Sequence, residues 1–513
     1  MMPSDNLHTS SHGIRIARNA ILLYARMLVL LVVGLFTSRI VLSALGVEDF
    51  GIYTAVAGVV VLFNVLTTAV SSAISRYMAF ELGRGDFQRL KRVFVASRMV
   101  QVLLCLLLVV LTQTVGLWFV NTRMNLPPER MDAVPWVLEC AMGLMAVTLL
   151  AVPYNALIIT REKMGVFAGV SILEGLLKLL VAYLLFLSPG DKLIVYSLLL
   201  LGVSLVVRSV YVVYCHRHYA ESRGSLFERG ALDRGLLREL FSFAGWNTLG
   251  TSAFLLNTQG VNILQNIFFG VLVNAGRGIA NQVEGVFKQF ASNIMVAFNP
   301  QITRSYASGD KDFCFTLVFR ASKFTSLVLL LLAIPIGLET ETLLRLWLGQ
   351  VPDYSVLFVR LALLCTWIDM TSNALYQLVL ATGKVKKYAL LTASVSLLVF
   401  PVSWLFFHWG FPPETSYVVF AVIYGVVFLM KIGLARSLAD FPAKDYAFLL
   451  LRLVMAALPA FFAARWVGGL CSGTLWRLLA VALTSMVVLG LLSFFLILTP
   501  GEKEYVVKKI WRK

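Results

Sequence analysis

Five polar residues recur through an otherwise apolar stretch at spacings of 3, 4, 3 and 4: Asn274, Arg277, Asn281, Glu284 and Lys288. On a helix that rhythm puts all five on one face. Such a face is prohibitive against lipid, so it must meet protein or water. Two readings stay open. Glu284 and Lys288, four residues apart, can close an internal ion-pair ladder, or the whole stripe can line a water-filled substrate cavity. Gln282 lies beside the stripe, and Asn257, Gln259, Asn262, Gln265 and Asn266 add amides just before it. A second stripe, Asn64, Thr68, Ser71 and Ser75, ends at Arg76 and reads either as cavity lining or as helix-packing glue.

Other charges interrupt apolar runs. Arg39 lies in the first run, with Arg18 and Arg26 nearer its start; Arg18 and Arg26 also read as interfacial snorkelling. Arg39 and Arg26 fall on different helical faces. Glu174 and Lys178 read as a mutually neutralising i,i+4 pair, and Glu174 is also a candidate for ion coupling. Asp369 either carries a coupling proton or satisfies a helix contact. Among the cavity candidates Arg39, Arg76, Arg277 and Lys288 outnumber Glu284. A cationic chamber suits an anionic cargo, and the arginine fork, which takes two oxygens together, suits phosphate.

The elements that must position these residues follow from composition. The 513 residues are 59% hydrophobic and only 14% charged. Soluble proteins run nearer 45–50% apolar and about 25% charged, so a water-soluble enzyme is excluded. At about 20 apolar residues per span and roughly 35–40 with its connection, the chain accommodates 12–14 membrane helices. Apolar runs give fourteen, at 16–44, 50–79, 93–120, 133–160, 165–187, 192–216, 239–268, 271–302, 320–346, 354–381, 388–409, 415–437, 447–467 and 475–499. The first is a retained span, because it outruns a signal-peptide core and lacks a cleavage site.

Lys and Arg exceed Asp and Glu by 44 to 27, a net +17. The excess sits in alternate breaks: Arg84 to Arg92, Arg161 and Lys163, Arg217 to Arg238, Arg304 and Lys311, Lys384 to Lys387, Arg436 and Lys444, and the tail from Lys503. The intervening breaks, around Asp49, Arg130, Asp191, Asp353 and Glu414, are neutral or acidic. Basic breaks stay in the cytoplasm, which places both termini there and turns most of the charge into topology rather than nucleic-acid binding. No break is long enough for a soluble domain, and no phosphate-binding loop of the GxxxxGK[ST] type occurs. The six cysteines are scattered, with no CxxC; Cys215, His216 and His218 read as a buried thiol and interfacial histidines rather than a metal site.

A short internal repeat appears at an offset of 224 residues, which carries Gly46-Val47 onto Gly270-Val271 and Gly85-Asp86 onto Gly309-Asp310. It equates the second helix with the eighth, the pattern of parallel six-helix repeats. The expected organisation is an N-terminal lobe over 1–216, a linker over 217–238, a second lobe over 239–437, and two further helices with a basic tail over 438–513.

Seven stretches in order resemble the polysaccharide and O-antigen flippases of the multidrug/oligosaccharidyl-lipid/polysaccharide exporter superfamily: LSALGVEDFGIY at 42–53, ISRYMAFELGRGD at 74–86, VPYNALIITREKM at 152–164, FSFAGWNTLGTSA at 241–253, NAGRGIANQV at 274–283, NPQITRSYASGD at 299–310 and ATGKVKKYALL at 381–391. The resemblance implies an all-α polytopic membrane protein of two six-helix lobes plus two helices, forming a V around a cationic chamber. It implies a non-enzymatic carrier of undecaprenyl-diphosphate-linked oligosaccharide in the bacterial inner membrane, moving cargo from cytoplasmic to periplasmic leaflet. It implies no cofactor beyond a coupling ion, H⁺ or Na⁺, and polymerase and chain-length proteins of the same pathway as partners. Under it, Arg39, Arg76, Arg277 and Lys288 would meet the diphosphate, and Asn64, Asn257, Gln259, Asn262, Asn274, Asn281, Gln282 and Glu284 the glycan or cavity. An ion-coupled multidrug exporter of the same fold is the alternative, with a membrane-embedded polymerase behind it. The short outer breaks leave little room for a polymerase's catalytic loop.

Overall fold

The computed structural model describes residues 5–62, 74, 77–78, 81–82, 84–161, 163–223 and 255–504. Every regular element among them is helical. Eleven helices are long and apolar enough to cross a membrane. They correspond to eleven of the fourteen expected spans. The second and seventh expected spans run partly outside the described residues, and the eighth is a long helix whose polar stripe keeps it below an apolar threshold.

Contacts divide the chain into Met1–Ala275 and Gly276–Lys513. The first unit holds α1 (Asp5–Val61), α2 (Phe87–Leu111), α3 (Leu117–Arg123), α4 (Val134–Thr160), α5 (Met164–Leu187), α6 (Lys192–His218) and α7 (Val261–Phe269). Here α1 joins the first two expected helices across a break at Gly46. A π-helical turn over Thr112–Gly116 links α2 to α3. One apolar cluster packs around Phe94, Tyr154 and Tyr211, and another around Val56, Leu138 and Leu149.

α8 (Val271–Ala307) starts in the first unit and runs into the second. The second unit continues with α9 (Lys311–Leu338), α10 (Thr340–Leu348), α11 (Ser355–Thr371), α12 (Asn373–Ala381), α13 (Val385–Ser396), α14 (Val399–His408), α15 (Thr415–Ala439), α16 (Ala443–Leu470) and α17 (Thr474–Leu496). Its core gathers around Cys314, Leu375, Phe441 and Tyr446, with a second cluster of Leu453, Ala456, Ala460 and Val481 that docks the last two helices. Small residues on α16 let those helices approach closely.

The 224-residue repeat recurs in backbone geometry. Gly46 has φ 81° and ψ 171°, and Gly270 has φ 82° and ψ −173°. Gly85 and Gly309 also have positive φ, at 75° and 82°. Only glycine adopts this region without strain, which explains all four residues. The Gly85 amide donates to Leu82 O at 3.1 Å and Asp86 N to Glu81 O at 3.3 Å; Gly309 N donates to Tyr306 O and Asp310 N to Ser305 O, both at 3.1 Å. Asp86 then accepts from Arg89 N at 2.9 Å, and Asp310 from Phe313 N at 3.1 Å, each capping the next helix. Every partner in one turn is displaced by the same offset in the other.

Ion pairs sort the breaks as their charge does. Arg130 forks onto two carboxylates, Asp49 at 2.7–2.8 Å and Asp191 at 2.6–3.0 Å, joining three neutral-to-acidic breaks of the first unit. Asp191 also caps α6, accepting from Leu193 N at 2.9 Å. At basic breaks, Arg161 pairs with Glu221 and lies over the Phe87 and Tyr219 rings. In the second unit Lys311 reaches Asp440 at 2.9 Å.

The hydrogen bonds from Arg130 hold the Asp191 carboxyl below its ordinary range, ahead of the opposing effect of burial. A lowered carboxyl pKa stabilises the fold above the unfolded value and loses that contribution as pH falls through the folded value. Arg130→Met should therefore cost about 2 kcal/mol at neutral pH. The gap from wild type should narrow below about pH 4. Thermal unfolding of the detergent-solubilised protein, followed by tryptophan fluorescence across pH, measures both.

Candidate functional site

Gly270 ends α7 and sets the direction of α8, so the amides of the two helices meet in a hairpin. Asn274 Nδ2 donates to Asn262 Oδ1 at 2.9 Å and to Asn262 O at 2.8 Å. Asn266 Nδ2 donates to Asn274 Oδ1 at 2.9 Å. Asn266 Oδ1 accepts from Asn125 N at 3.0 Å, tying the hairpin to the connection after α3. Asn257, Asn262, Gln265, Asn266 and Asn274 are all buried. Buried amides must be satisfied, and these largely satisfy one another. α1 reaches the hairpin through glycines. Gly51 lies against the Val271 carbonyl so closely that a Cβ would collide with it, and a Cβ on Gly58 would come within 3.2 Å of the Asn262 and Gln259 amides.

Past Ala275 the same face of α8 turns ionic. Arg277 is only 6% exposed, and its guanidinium lies 5.3 Å from the centre of the Tyr417 ring on α15. Lys288 Nζ pairs with Glu284 at 2.5 Å. Asp369 on α11 is near enough to Lys288 to interact electrostatically, and Cys365 faces the same charges. Lys431 on α15 approaches Asp369 at 3.7 Å and donates to Ser372 Oγ at 2.8 Å. Three helices thus bring three cations, Arg277, Lys288 and Lys431, against two carboxylates, Glu284 and Asp369. Gly276 permits this convergence, because a side chain there would strike the backbone at Asp353 and Ser355.

The two readings of the α8 stripe both have material support. The Glu284–Lys288 pair forms, and among the described residues Arg277 and Lys431 bring further cations to the same cluster. Asn281 and Gln282 are half-buried on the same helix, and Gln259 is half-buried beside Gly58. Arg39 is exposed on α1. Asn64 and Arg76 lie outside the described residues. Glu174 pairs with Lys178 at 2.7 Å and meets Arg208 at 3.5 Å, with Arg26 in electrostatic range. The last two ion-pair partners, Lys431 and Arg208, escaped the sequence reading. Each is a single cation in an apolar run, and the rule that flagged Asp369 would have flagged them.

The histidine-rich end of α6 is locally occupied. Cys215 Sγ donates to Tyr154 O at 3.6 Å, and His218 Nδ1 lies 2.9 Å from Tyr214 O. Among the described residues no group of three metal-ligating side chains occurs.

Comparison with known proteins places this arrangement. The model of the family described as polysaccharide biosynthesis protein matches residues 16–304. The uncharacterized membrane protein EpsK of Bacillus subtilis (strain 168) is 23% identical over 317 residues, 62% of each chain, so the match spans less than two thirds of that relative. Among solved structures, the lipid II flippase MurJ in an inward closed conformation shares 13% identity at a TM-score of 0.66, over 92% of this chain and 98% of that one. An inward-facing multidrug resistance MATE family transporter of the MOP superfamily shares 15% identity at a TM-score of 0.61, over 82% and 97%. At these identities the solved structures establish the fold alone: an all-helical, multi-pass membrane protein. With the family model covering more than half of its length, the chain belongs to the polysaccharide biosynthesis protein family.

Proposed function

We propose that the protein flips an undecaprenyl-diphosphate-linked oligosaccharide, the repeat unit of an O-antigen, capsule or exopolysaccharide, across the bacterial cytoplasmic membrane. The observation that carries this reading is the cation-rich cluster of Arg277, Lys288 and Lys431 inside an apolar helical unit. Moving a diphosphate and its sugars through hydrocarbon unaided costs many kcal/mol, so a carrier must offer compensating charge and hydrogen bonds. Arg277 presents a fork for phosphate oxygens, and Lys288 becomes a second contact when cargo competes with Glu284 for it. Arg39 and Arg76 are further candidates for diphosphate contact on the strength of the sequence alone. Asn281, Gln282, Asn64 and Gln259 offer amides to sugar hydroxyls, and the buried Asn257 does so only if its surroundings open. Asn262 and Asn274 join them only if their mutual hydrogen bonds open.

The lipid tail stays in the bilayer while alternating access carries the head group from the cytoplasmic to the periplasmic leaflet. An ion gradient supplies the direction, with Asp369 as the coupling group, since its partner Lys431 and the neighbouring Lys288 tie its charge to the cargo contacts. Glu174, held among Lys178, Arg208 and Arg26, is the second candidate. The basic breaks put both termini in the cytoplasm, and polymerase and chain-length proteins would receive the cargo.

An ion-coupled multidrug exporter is the second reading, favoured by the buried carboxylates Glu284 and Asp369. Both are already engaged by lysines, which disfavours a cationic drug there.

Arg277→Ala should reduce surface polysaccharide at least tenfold at native protein level, and Arg277→Lys should restore part of it, because a point charge replaces the fork. Immunodetection of surface glycan, with membrane-fraction blots for protein level, reads both. Asp369→Asn should leave the protein folded and its glycan export independent of the proton or sodium gradient, measured with ionophores in energised cells. Export that still collapses with the gradient in Asp369→Asn would remove Asp369 from the coupling role.

A further inference from the structure

The second unit holds a cavity of about 850 Å³ that the α8 stripe does not line. Its wall is apolar, built from Leu330, Ile334, Leu363, Trp367, Leu458 and Phe461 on α9, α11 and α16. Three arginines reach it from three helices: Arg360, Arg465 and Arg477, against one carboxylate, Glu339. Arg477 is committed to Glu339, at 2.7 Å, and to Thr342 Oγ1, at 2.6 Å. Arg360 spends only its Nε, donating to Gly337 O at 2.9 Å, and leaves the rest of its fork exposed. Arg465 is exposed on α16, beside Phe462 and Trp466, which are 62% and 70% exposed. Trp466 and Trp476, 70% and 75% exposed near the ends of α16 and α17, are of the type that collects at a membrane interface, which is consistent with cations at head-group level above an apolar slot.

An apolar slot capped by the exposed guanidinium side chains of Arg360 and Arg465 is complementary to an amphiphile with one phosphate and a hydrocarbon chain. We propose that this cavity is a resident binding site for an anionic glycerophospholipid, whose phosphodiester bridges Arg360 and Arg465 while one acyl chain lies along α9 and α16. The lipid enters sideways from its own leaflet, and by wedging α16 and α17 against α9 and α11 it completes the packing of the last two helices. The site is separate from the α8 cluster, so its occupancy does not depend on what the protein carries.

The test uses the full-length protein in detergent, titrated with phosphatidylglycerol or phosphatidylcholine of the same acyl chains and read by native mass spectrometry. Phosphatidylglycerol should bind about tenfold more tightly. Arg360→Gln with Arg465→Gln should erase the preference, and the double lysine variant should keep part of it. Leu458→Trp, which fills the slot and leaves the arginines in place, should lower binding of both lipids; it also stands in if the glutamine variant unfolds. Inorganic phosphate should not compete, because it has no chain to bury. Equal binding of the two lipids, or a preference unchanged by the glutamine pair, would overturn the proposal. So would displacement of phosphatidylglycerol by undecaprenyl phosphate at a much lower concentration, which would make the cavity a cargo site.

Discussion

In hydrocarbon a charge has no water to fall back on, so every ionised group inside this bundle must find its compensation in the protein. That constraint organises the molecule. Within the spans Glu174 is surrounded by cations and Asp369 lies between Lys431 and Lys288, while at the breaks Asp49 and Asp191 share Arg130. Around Arg277 an aromatic ring, that of Tyr417, contributes to the compensation. The α8 cluster sets Arg277, Lys288 and Lys431 beside Glu284 and Asp369, and under the proposed function an arriving anion exchanges with a carboxylate already in place. A fully balanced ladder would hold the helices together with nothing left to offer. An unbalanced one without carboxylates would be costly to bury in the absence of cargo.

The same logic separates structural from functional polarity. The asparagines of α7 and early α8 bond one another and bind the hairpin to α1 and to Asn125. They let backbones approach without leaving orphaned groups. Further along α8 the polar groups are ionic: Arg277 is buried against Tyr417 of α15, and Glu284 and Lys288 pair along the helix itself with Asp369 of α11 in electrostatic range of Lys288. One helix face thus passes from a hydrogen-bonded joint to a charged surface within about one turn, between Asn274 and Arg277.

Much of this was legible in the sequence. The α8 stripe depends only on helical periodicity and on the absence of proline between Val271 and Lys288, so its five residues share a face as spaced. The 224-residue repeat was readable from two glycine pairs, because a positive φ admits few other residues, and the backbone reproduces it bond for bond. The ion pairs of Arg130 and of Arg161 each join breaks that the charge sorting puts in one class. Pairings between distant spans were not legible. That Lys431 answers Asp369, or Arg208 answers Glu174, depends on which helices pack together, and periodicity within one helix carries no such information. Nor does an amide in an apolar run announce whether it faces a neighbour or water, which is why Asn262 and Asn274 read as cavity lining although their amides meet each other.

The central claim is that the buried cations serve an anionic lipid-linked glycan. The most direct measurement is transbilayer movement of a lipid-diphosphate-linked oligosaccharide in proteoliposomes holding the purified protein, with a cationic dye run in parallel. The account predicts glycolipid movement that requires Arg277 and is accelerated by an imposed ion gradient, with no transport of the dye. Dye transport without glycolipid movement, or glycolipid movement indifferent to Arg277, would contradict it.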